Sequence, residues 1–576
     1  MTNTETRKHF NIKILVTVLI FIIGFYLRIC HITHGTYYVF NHDGQNFIEQ
    51  ALRYGKGTLR PFGMLHGPFL PYILFFEYGL YFLINLLIGK MTCPTDLLKE
   101  YVVDPSKFFM IGGLTIVFFS MGIMLLVNNI CKKYFNQKTA LCATLFTAVS
   151  FYMVYLSHVI KEDIIVGFFM LCSCCFGLKA LNTTRWSRPL YIAALFIGLA
   201  ISVKYYAFMG IFIILTVLIF KLKDKEITVG YFFEFFLKNI IIIGAIFIIF
   251  NPYTIINFKE FINGLTVLGN GFRETIDLHN KPSLLLYLIF LKEGIGWPVF
   301  LLYLFSLFFI FSNRSLLLCN VFPIFLFIFF SFFERAMPYF LVSAIPFVLI
   351  SSAFSLINLP KFLIKNKKFH TSFIFVMVIL CASVTFIVSW KFCRLLNVED
   401  TRMIAKRWIE SNIKRDSKIL IEGSYTFNII YAPQLKENIN TLEEELSAIK
   451  KSGGSGFLWE YKKKCFNIQR DIAYELYKTT VISLDDIKRY SSEYVILTSY
   501  RTPSLLTQVD NVKDVKNYLQ REYKLIKKVS SDISMCGFPS FESLYHGAFE
   551  RINSLNLKSL NAIRCYGPII EIYKKI

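Results

Sequence analysis

The sequence predicts a polytopic α-helical membrane protein that carries a soluble α/β domain at its C-terminal end. Three observations lead there. First, 55% of the 576 residues are hydrophobic, 61 are Phe and the mean hydropathy is +0.51, too apolar for a soluble chain. The apolar residues fall in repeated runs of the roughly 18 or more that a spanning helix needs. Second, the charges between those runs form two groups. One is basic: Lys132, Lys133, Lys138, Arg185, Arg188, Lys221, Lys223, Lys225, Lys361, Lys365, Lys367 and Lys368. The other is mixed and sparse: Asp43, His66, His158, Asp163, Lys204, Glu334 and Arg335. The groups alternate along the chain, as the two faces of a helical bundle would. Third, beyond about residue 390 the charges become dense and the apolar runs shorten.

Eleven runs read as spans: 14–30, 108–130, 139–157, 164–180, 189–202, 206–220, 236–250, 296–312, 315–332, 340–358 and 371–390. A twelfth run, 68–89, is ambiguous, and every later loop changes side if it crosses. If it lies in the interface instead, the short loops 131–138, 179–188, 221–226, 313–314 and 359–370 share one face and carry fourteen Lys and Arg, against six in the opposite loops 158–163, 203–205, 251–283 and 333–339. Lys and Arg collect on cytoplasmic loops, so the asymmetry favours an interfacial or re-entrant 68–89 helix. The N-terminus is then inside and residues 391–576 are outside, in the order expected of a cell (inner) membrane protein. Arg7, Lys8 and Lys13 precede the first run and no small-residue cleavage site follows it, so this run is read as an uncleaved helix. The formal charge of +23 would suggest nucleic acid in a soluble chain. Here the cytoplasmic loops account for most of it, and no nucleic-acid partner is expected.

The division is therefore a transmembrane domain over 1–390 and an extracytoplasmic domain over 391–576. Within the second, 400–413 reads as an amphipathic helix with Met403, Ile404, Trp408 and Ile409 on one face. KILIE (418–422) and YVILTS (494–499) read as buried strands, and KSGGSG (451–456) as a flexible loop. Roughly 185 residues suffice for one α/β domain. The 13 Cys show no paired CxxC spacing, which argues against zinc. Cys172, Cys174 and Cys175 sit in an apolar run as small packing residues. Cys393, Cys465, Cys536 and Cys565 would meet an oxidising compartment, where pairing stays open.

The mixed charges lie on one face, and charge beside apolar helices is costly enough to suggest a working site. Asp43 follows the first span by about a dozen residues. It either caps the helix that begins at FIEQAL or takes a proton from a hydroxyl nucleophile. Asp163, in SHVIKED (157–163), either caps the next run or joins that chemistry, with His158 beside it. Lys204, in GLAISVKYY (198–206), snorkels or holds a phosphate arriving from the bilayer, with Tyr205 next to it. Arg335, in FFERAMPYF (332–340), pairs with Glu334 or grips a phosphate with both arms.

These segments resemble, in order, those of the dolichyl-phosphate-mannose–protein mannosyltransferase family. SHVIKED resembles its Ser-Arg-x4-Asp segment. Asp43 followed by LHGPFLPYI (65–73) looks like its acidic motif and His-Pro-Pro-Leu stretch. GLAISVKYYAF (198–208) is similar to its Gly-Leu…Lys-Tyr/Trp segment, and PYFLVSAIPFVL (338–349) to the Arg-Tyr…Pro signature of bacterial relatives. The resemblance covers most of residues 10–390. It implies a GT-C glycosyltransferase fold of about 11 transmembrane helices, using polyprenyl-phosphate sugars at the outer face. It makes Asp43 the catalytic carboxylate and Asp163 a second acid, with Lys204 and Arg335 on the donor phosphate. His66, His158, Tyr205 and Glu334 would shape the substrate cavity. Gly44 stands where the family often has an acid, His158 replaces its Arg, and Gly67 its first Pro. The resemblance therefore carries the fold further than it carries mannose or a protein acceptor.

The expected chemistry is an inverting transfer of a hexosyl or pentosyl group to an acceptor hydroxyl on protein, polysaccharide or lipid. The leaving group is already a phosphate, so no cofactor or metal is expected, although Asp43 and Asp163 together would suit a divalent ion. A transporter or flippase of lipid-linked sugars would share the composition but place polar sites near mid-membrane. A non-catalytic assembly subunit would leave every one of these charges a structural role.

Overall fold

The computed structural model describes residues 3–33, 42–61, 64–273, 283–334, 336, 338–422, 424–425, 428–429, 432–451, 463, 473–479, 482–498, 512–529 and 569–576. The chain opens with α1 (Asn3–Ile29), α2 (His42–Tyr54), α3 (Phe69–Leu87), α4 (Pro94–Val103) and α5 (Ser106–Tyr134). Then come α6 (Gln137–Val149), α7 (Phe151–Leu156), α8 (Asp163–Leu181) and α9 (Ser187–Val203). A 3-10 turn (Tyr205–Gly210) leads into α10 (Ile211–Lys223). After α11 (Val229–Phe250), the short α12 (Tyr253–Ile256) and α13 (Phe258–Arg273), α14 (Ser283–Ile295) meets α15 (Trp297–Ser306). The helical part closes with α16 (Arg314–Ser331), α17 (Ile345–Asn358), α18 (Pro360–Leu363) and α19 (His370–Leu396).

Eight helices among the described residues are long and apolar enough to cross a membrane, or nine if a bent pair counts as one span. The protein is a multi-pass membrane protein. Length and composition alone do not return eleven spans. The other expected runs appear as α1, as the 17-residue α9, and as α6 and α7, which break at Ser150. The bent pair is α14 with the 297–312 helix, turned by 119° at Gly296, whose φ of +82° suits glycine. Residues 251–283, read from sequence as a loop, contain α12 and α13 instead.

The break after α6 is held by Arg28, the largest fully buried side chain. Its guanidinium donates to the carbonyls of Gly24, Thr147 and Ala148 at 2.8–2.9 Å and to Ser120 Oγ at 2.7 Å. A buried charge is tolerated when every donor is satisfied. Here it also supplies partners to carbonyls at the C-terminal end of α6, which the helix cannot satisfy itself.

The course of α3 follows from its neighbours. A Cβ on Gly113 of α5 would lie 3.0 Å from Ile32, just past α1, while one on Gly24 of α1 would meet Met124. Helices α1 and α5 are therefore antiparallel, and α5 begins at the end where α1 finishes. Between them, Tyr78 of α3 donates to Phe108 O at 3.1 Å, Thr115 to Glu77 at 2.7 Å, and Tyr101 of α4 to Glu49 of α2 at 3.4 Å. The middle of α3 thus packs on the first turns of α5, at the end where α1 finishes, although the helix is long and apolar enough to cross. Phe76, Leu80, Leu83 and Leu87 form its exposed apolar side, as in a helix lying along a membrane surface.

Beyond α19 the chain turns to mixed structure. Helix α20 (Thr401–Asn412) is capped by Asp400. Its buried face is Thr401, Arg402, Ala405, Lys406 and Ile409, whereas Met403, Ile404 and Trp408 are only half-buried, so the sequence periodicity is offset. Arg402 sits on that face because Asp400 takes two of its donors at 2.7–2.8 Å. Strands β1 (Lys418–Glu422), β4 (Lys436–Glu437), β5 (Ala473–Thr479), β6 (Tyr494–Thr498), β7 (Tyr523–Val529) and β8 (Ile570–Lys575) form one sheet of order β4-β5-β1-β6-β8-β7. The first four are mutually parallel, and β8 is antiparallel to β6 and β7. The short β2 (Ser424–Tyr425) and β3 (Asn428–Ile429) pair separately. Helices α21 (Ile439–Lys451), α22 (Leu484–Tyr490) and α23 (Val512–Glu522) complete the described part. Residues 452–456 of the expected flexible loop, and Cys465, Cys536 and Cys565, lie outside the described residues. Cys393 belongs to α19 and is buried with a free thiol.

Candidate active site

The turn after α7 and the C-terminal end of α9 meet where α1 ends and α5 begins, and of the mixed charges Asp163, Lys204 and His66 come together there. Asp163 starts α8, where a carboxylate suits the positive end of the helix. Lys204 follows α9, where an ammonium suits the negative end. Lys204 Nζ lies 2.9 and 3.0 Å from the two carboxylate oxygens of Asp163, and both residues are buried. Tyr206 donates to Asp163 Oδ1 at 3.0 Å and sits 3.3 Å from Ser343 Oγ, tying the pair to the segment before α17. Burial opposes charge on Lys204, but the carboxylates of Asp163 and Glu162 overcome it and hold the ammonium above the ordinary lysine range.

Glu162 is the residue the sequence reading passed over. It is 1% exposed, and neither carboxylate oxygen has a hydrogen-bond partner among the described residues. Its nearest basic groups stand just beyond bonding reach: His66 Nδ1 at 3.7 Å and Lys204 Nζ at 3.8 Å. A buried carboxylate left so poorly served is costly to fold and is a strong mark of a functional group. Its signal in the sequence was adjacency to Asp163, a cue too common to single it out. Lys161 is also buried, with its ammonium 3.5 Å above the ring of Tyr339. Lys204 is 5.3 Å from the same ring. Two ammonium groups, two carboxylates and an aromatic face thus share one cluster at one end of the bundle.

The remaining expected residues divide. His66 belongs to the cluster through Glu162, and its loop is pressed against the end of α9: a Cβ on Gly67 would fall 1.8 Å from Ser202 O. Tyr205 does not reach Asp163; its hydroxyl donates to Met64 O at 3.2 Å and steadies that same loop. His158 faces α1 and α19 instead, with Nε2 2.9 Å from Cys30 O. Glu334 is exposed, and its backbone carbonyl accepts from Ser283 Oγ at 3.3 Å. Asp43 is the second residue of α2, but its side chain lies outside the described residues, as does Arg335.

The family model for dolichyl-phosphate-mannose-protein mannosyltransferase matches residues 112–250, the stretch that holds Glu162, Asp163 and Lys204. No curated protein sequence matches the chain. Among solved structures, ArnT from Cupriavidus metallidurans, bound to undecaprenyl phosphate and in the apo state, is similar with a TM-score of 0.51 and 10% identity. The match covers 97% of each chain. The oligosaccharyltransferase of Archaeoglobus fulgidus in the apo form is similar with a TM-score of 0.46 and 11% identity, over 98% of this chain and 88% of that one.

Proposed function

We propose that this chain, which has a GT-C-like fold and matches the dolichyl-phosphate-mannose-protein mannosyltransferase family model over residues 112–250, transfers a sugar from a polyprenyl-phosphate carrier to an acceptor hydroxyl at the outer face of the cell membrane. The observation that carries the proposal is the buried Glu162–Asp163–Lys204 cluster at one end of an apolar bundle. A mid-membrane transport site would not place acid and base together there. The undecaprenyl phosphate bound to ArnT supports a polyprenyl-phosphate product.

The step is a single displacement. The acceptor oxygen forms a bond to the anomeric carbon as the bond from that carbon to the phosphate oxygen breaks, which inverts the configuration. Asp43 takes the hydroxyl proton, and polyprenyl phosphate departs as an anion. Lys204, held in place by Asp163 and Tyr206, faces the leaving phosphate with Lys161 and Arg335. Fixed cations at a site of developing charge are a large source of rate enhancement. Glu162, beside His66, bounds the acceptor side and orients the hydroxyl. The leaving group needs no further activation, so the proposed step uses no metal.

The test is transfer of radiolabelled sugar from a polyprenyl-phosphate donor by the purified protein in lipid. Turnover with inversion is expected, and Asp43→Asn should slow it about 10²–10⁴-fold with the melting temperature unchanged. The structure places Asp43 second in α2 and not at its cap; a purely structural Asp there adds only about 0.3–1 kcal/mol at the helix N-terminus, so Asn would leave activity intact. Stoichiometric donor binding without turnover would replace this proposal with the transporter.

A further inference from the structure

Away from the Asp163 cluster, one other set of reactive side chains converges. Cys30 follows α1, His158 lies in the turn after α7, and Cys393 is in the last turns of α19. The two sulfur atoms and a ring nitrogen of His158 all lie within 4.8 Å of one another. Cys30 Sγ is 3.8 Å from His158 Nε2. Both thiols are free and buried, while His158 is only half-buried.

The imidazole is the informative member. Its Nδ1 is 2.9 Å from Val154 O, one turn back, and its Nε2 is 2.9 Å from Cys30 O. A neutral imidazole has one N–H to give. Donated from Nδ1 to a backbone carbonyl, that hydrogen fixes the ring as it is fixed in metal-binding histidines, with the Nε2 lone pair aimed at the ion. In that tautomer the Nε2 lone pair lies on the sulfur side of the ring, 3.8 Å from Cys30 Sγ, and is free for a cation held between Nε2 and the two sulfurs. Both sulfurs lean on the same Leu27 carbonyl, at 3.6 and 3.4 Å, so they are held on one side of α1.

We propose that Cys30, His158 and Cys393 bind one thiophilic d10 cation, Zn²⁺ being the probe of choice. Two thiolates and one imidazole supply three ligands of a tetrahedral set, with the fourth position open to water. Binding releases the two thiol protons to solvent. The ligands come from the first helix, from the turn that leads to Glu162, and from the last helix before the mixed α/β region. The ion therefore pins residues 157–163 against the outer end of the bundle. It is a structural clamp, and it stands whether the neighbouring cluster transfers sugar or not. Local cysteine spacing argues against zinc, but that rule cannot see ligands brought together from such distant parts of the chain.

The test loads the full-length purified protein with Zn²⁺, desalts it and measures metal by mass spectrometry and X-ray absorption. One zinc per chain is expected, with two sulfur ligands at about 2.3 Å. Cys30→Ser and Cys393→Ser should each lose it, and chelation should lower the melting temperature of the parent protein but not of the serine variants. Should the serine variants fail to fold, Cys393→His keeps a ligand and is expected to hold zinc with one sulfur in place of two. The proposal is overturned by a parent protein that retains no zinc, by variants that retain it with an unaltered spectrum, or by a Cys30–Cys393 disulfide in peptides from native membranes.

Discussion

Lys204 and Asp163, 41 residues apart in the chain, meet with the ammonium 2.9 and 3.0 Å from the two carboxylate oxygens. The pair joins the C-terminal end of one helix to the N-terminal end of another, and each charge also suits its own helix end. Asp163 is therefore fully engaged: its oxygens serve Lys204 and Tyr206. A carboxylate so occupied positions a cation and has little capacity left to accept a proton.

Asp163→Asn should consequently be a stability defect first. It leaves the Lys204 ammonium buried without its principal counter-charge, and losing one partner of a buried pair costs about 3–5 kcal/mol. Thermal melting of purified protein measures this. The double change Asp163→Leu with Lys204→Met should recover most of the melting temperature but none of the transfer activity.

Glu162→Gln should behave in the opposite way. The carboxylate has no hydrogen-bond partner among the described residues, so removing its charge should leave the melting temperature unchanged or raise it. Activity should fall by about 10²–10⁴-fold if the charge acts in the proton chemistry. Full activity in a well-folded Gln variant would make Glu162 a structural residue only.

Gly67→Ala tests the close approach of the 64–68 loop to α9. The added methyl would need the Ser202 carbonyl to move, and overpacking of this kind costs about 1–3 kcal/mol. It should also move His66 away from Glu162. Both a lower melting temperature and slower turnover are expected, whereas an unchanged protein would show that the loop shifts freely.

The course of α3 has a direct readout. With cysteines introduced singly at Thr58, Lys90 and Lys133, all exposed positions, an impermeant thiol reagent should label the first two from one side of the membrane and the third from the other. Labelling of 58 and 90 from opposite sides would make α3 a span.

The helical class, the order of the apolar runs and the nearness of Asp163 to Lys204 were legible because burial in lipid demands long apolar stretches and makes charge conspicuous. Residues 68–89 show the limit of that rule. Their length and hydropathy suit a span, and only loop charge, and then the contacts of Tyr78 and Glu77 with α5, argued for another course. The choice of Tyr206 over Tyr205 was not legible, since it depends on the 3-10 turn after Lys204 that sends adjacent side chains in different directions. Glu162 escaped for a related reason. Whether a carboxylate is satisfied depends on partners from remote segments, which one sequence does not reveal. The break at Ser150 was hidden too, because its stabilising group, Arg28, sits on the first helix.

That arginine also ties assembly of the bundle to the order of synthesis. The carbonyls of Thr147 and Ala148 lie 119 and 120 residues downstream of Arg28. At roughly 5–20 residues per second, the ribosome needs about 6–24 s to produce them. Throughout that interval the first helix carries, in its last turn, a cation that has the Gly24 carbonyl but not those of α6. The long side chain can reach the headgroups meanwhile. The guanidinium gains its two α6 carbonyls only once that helix has been made.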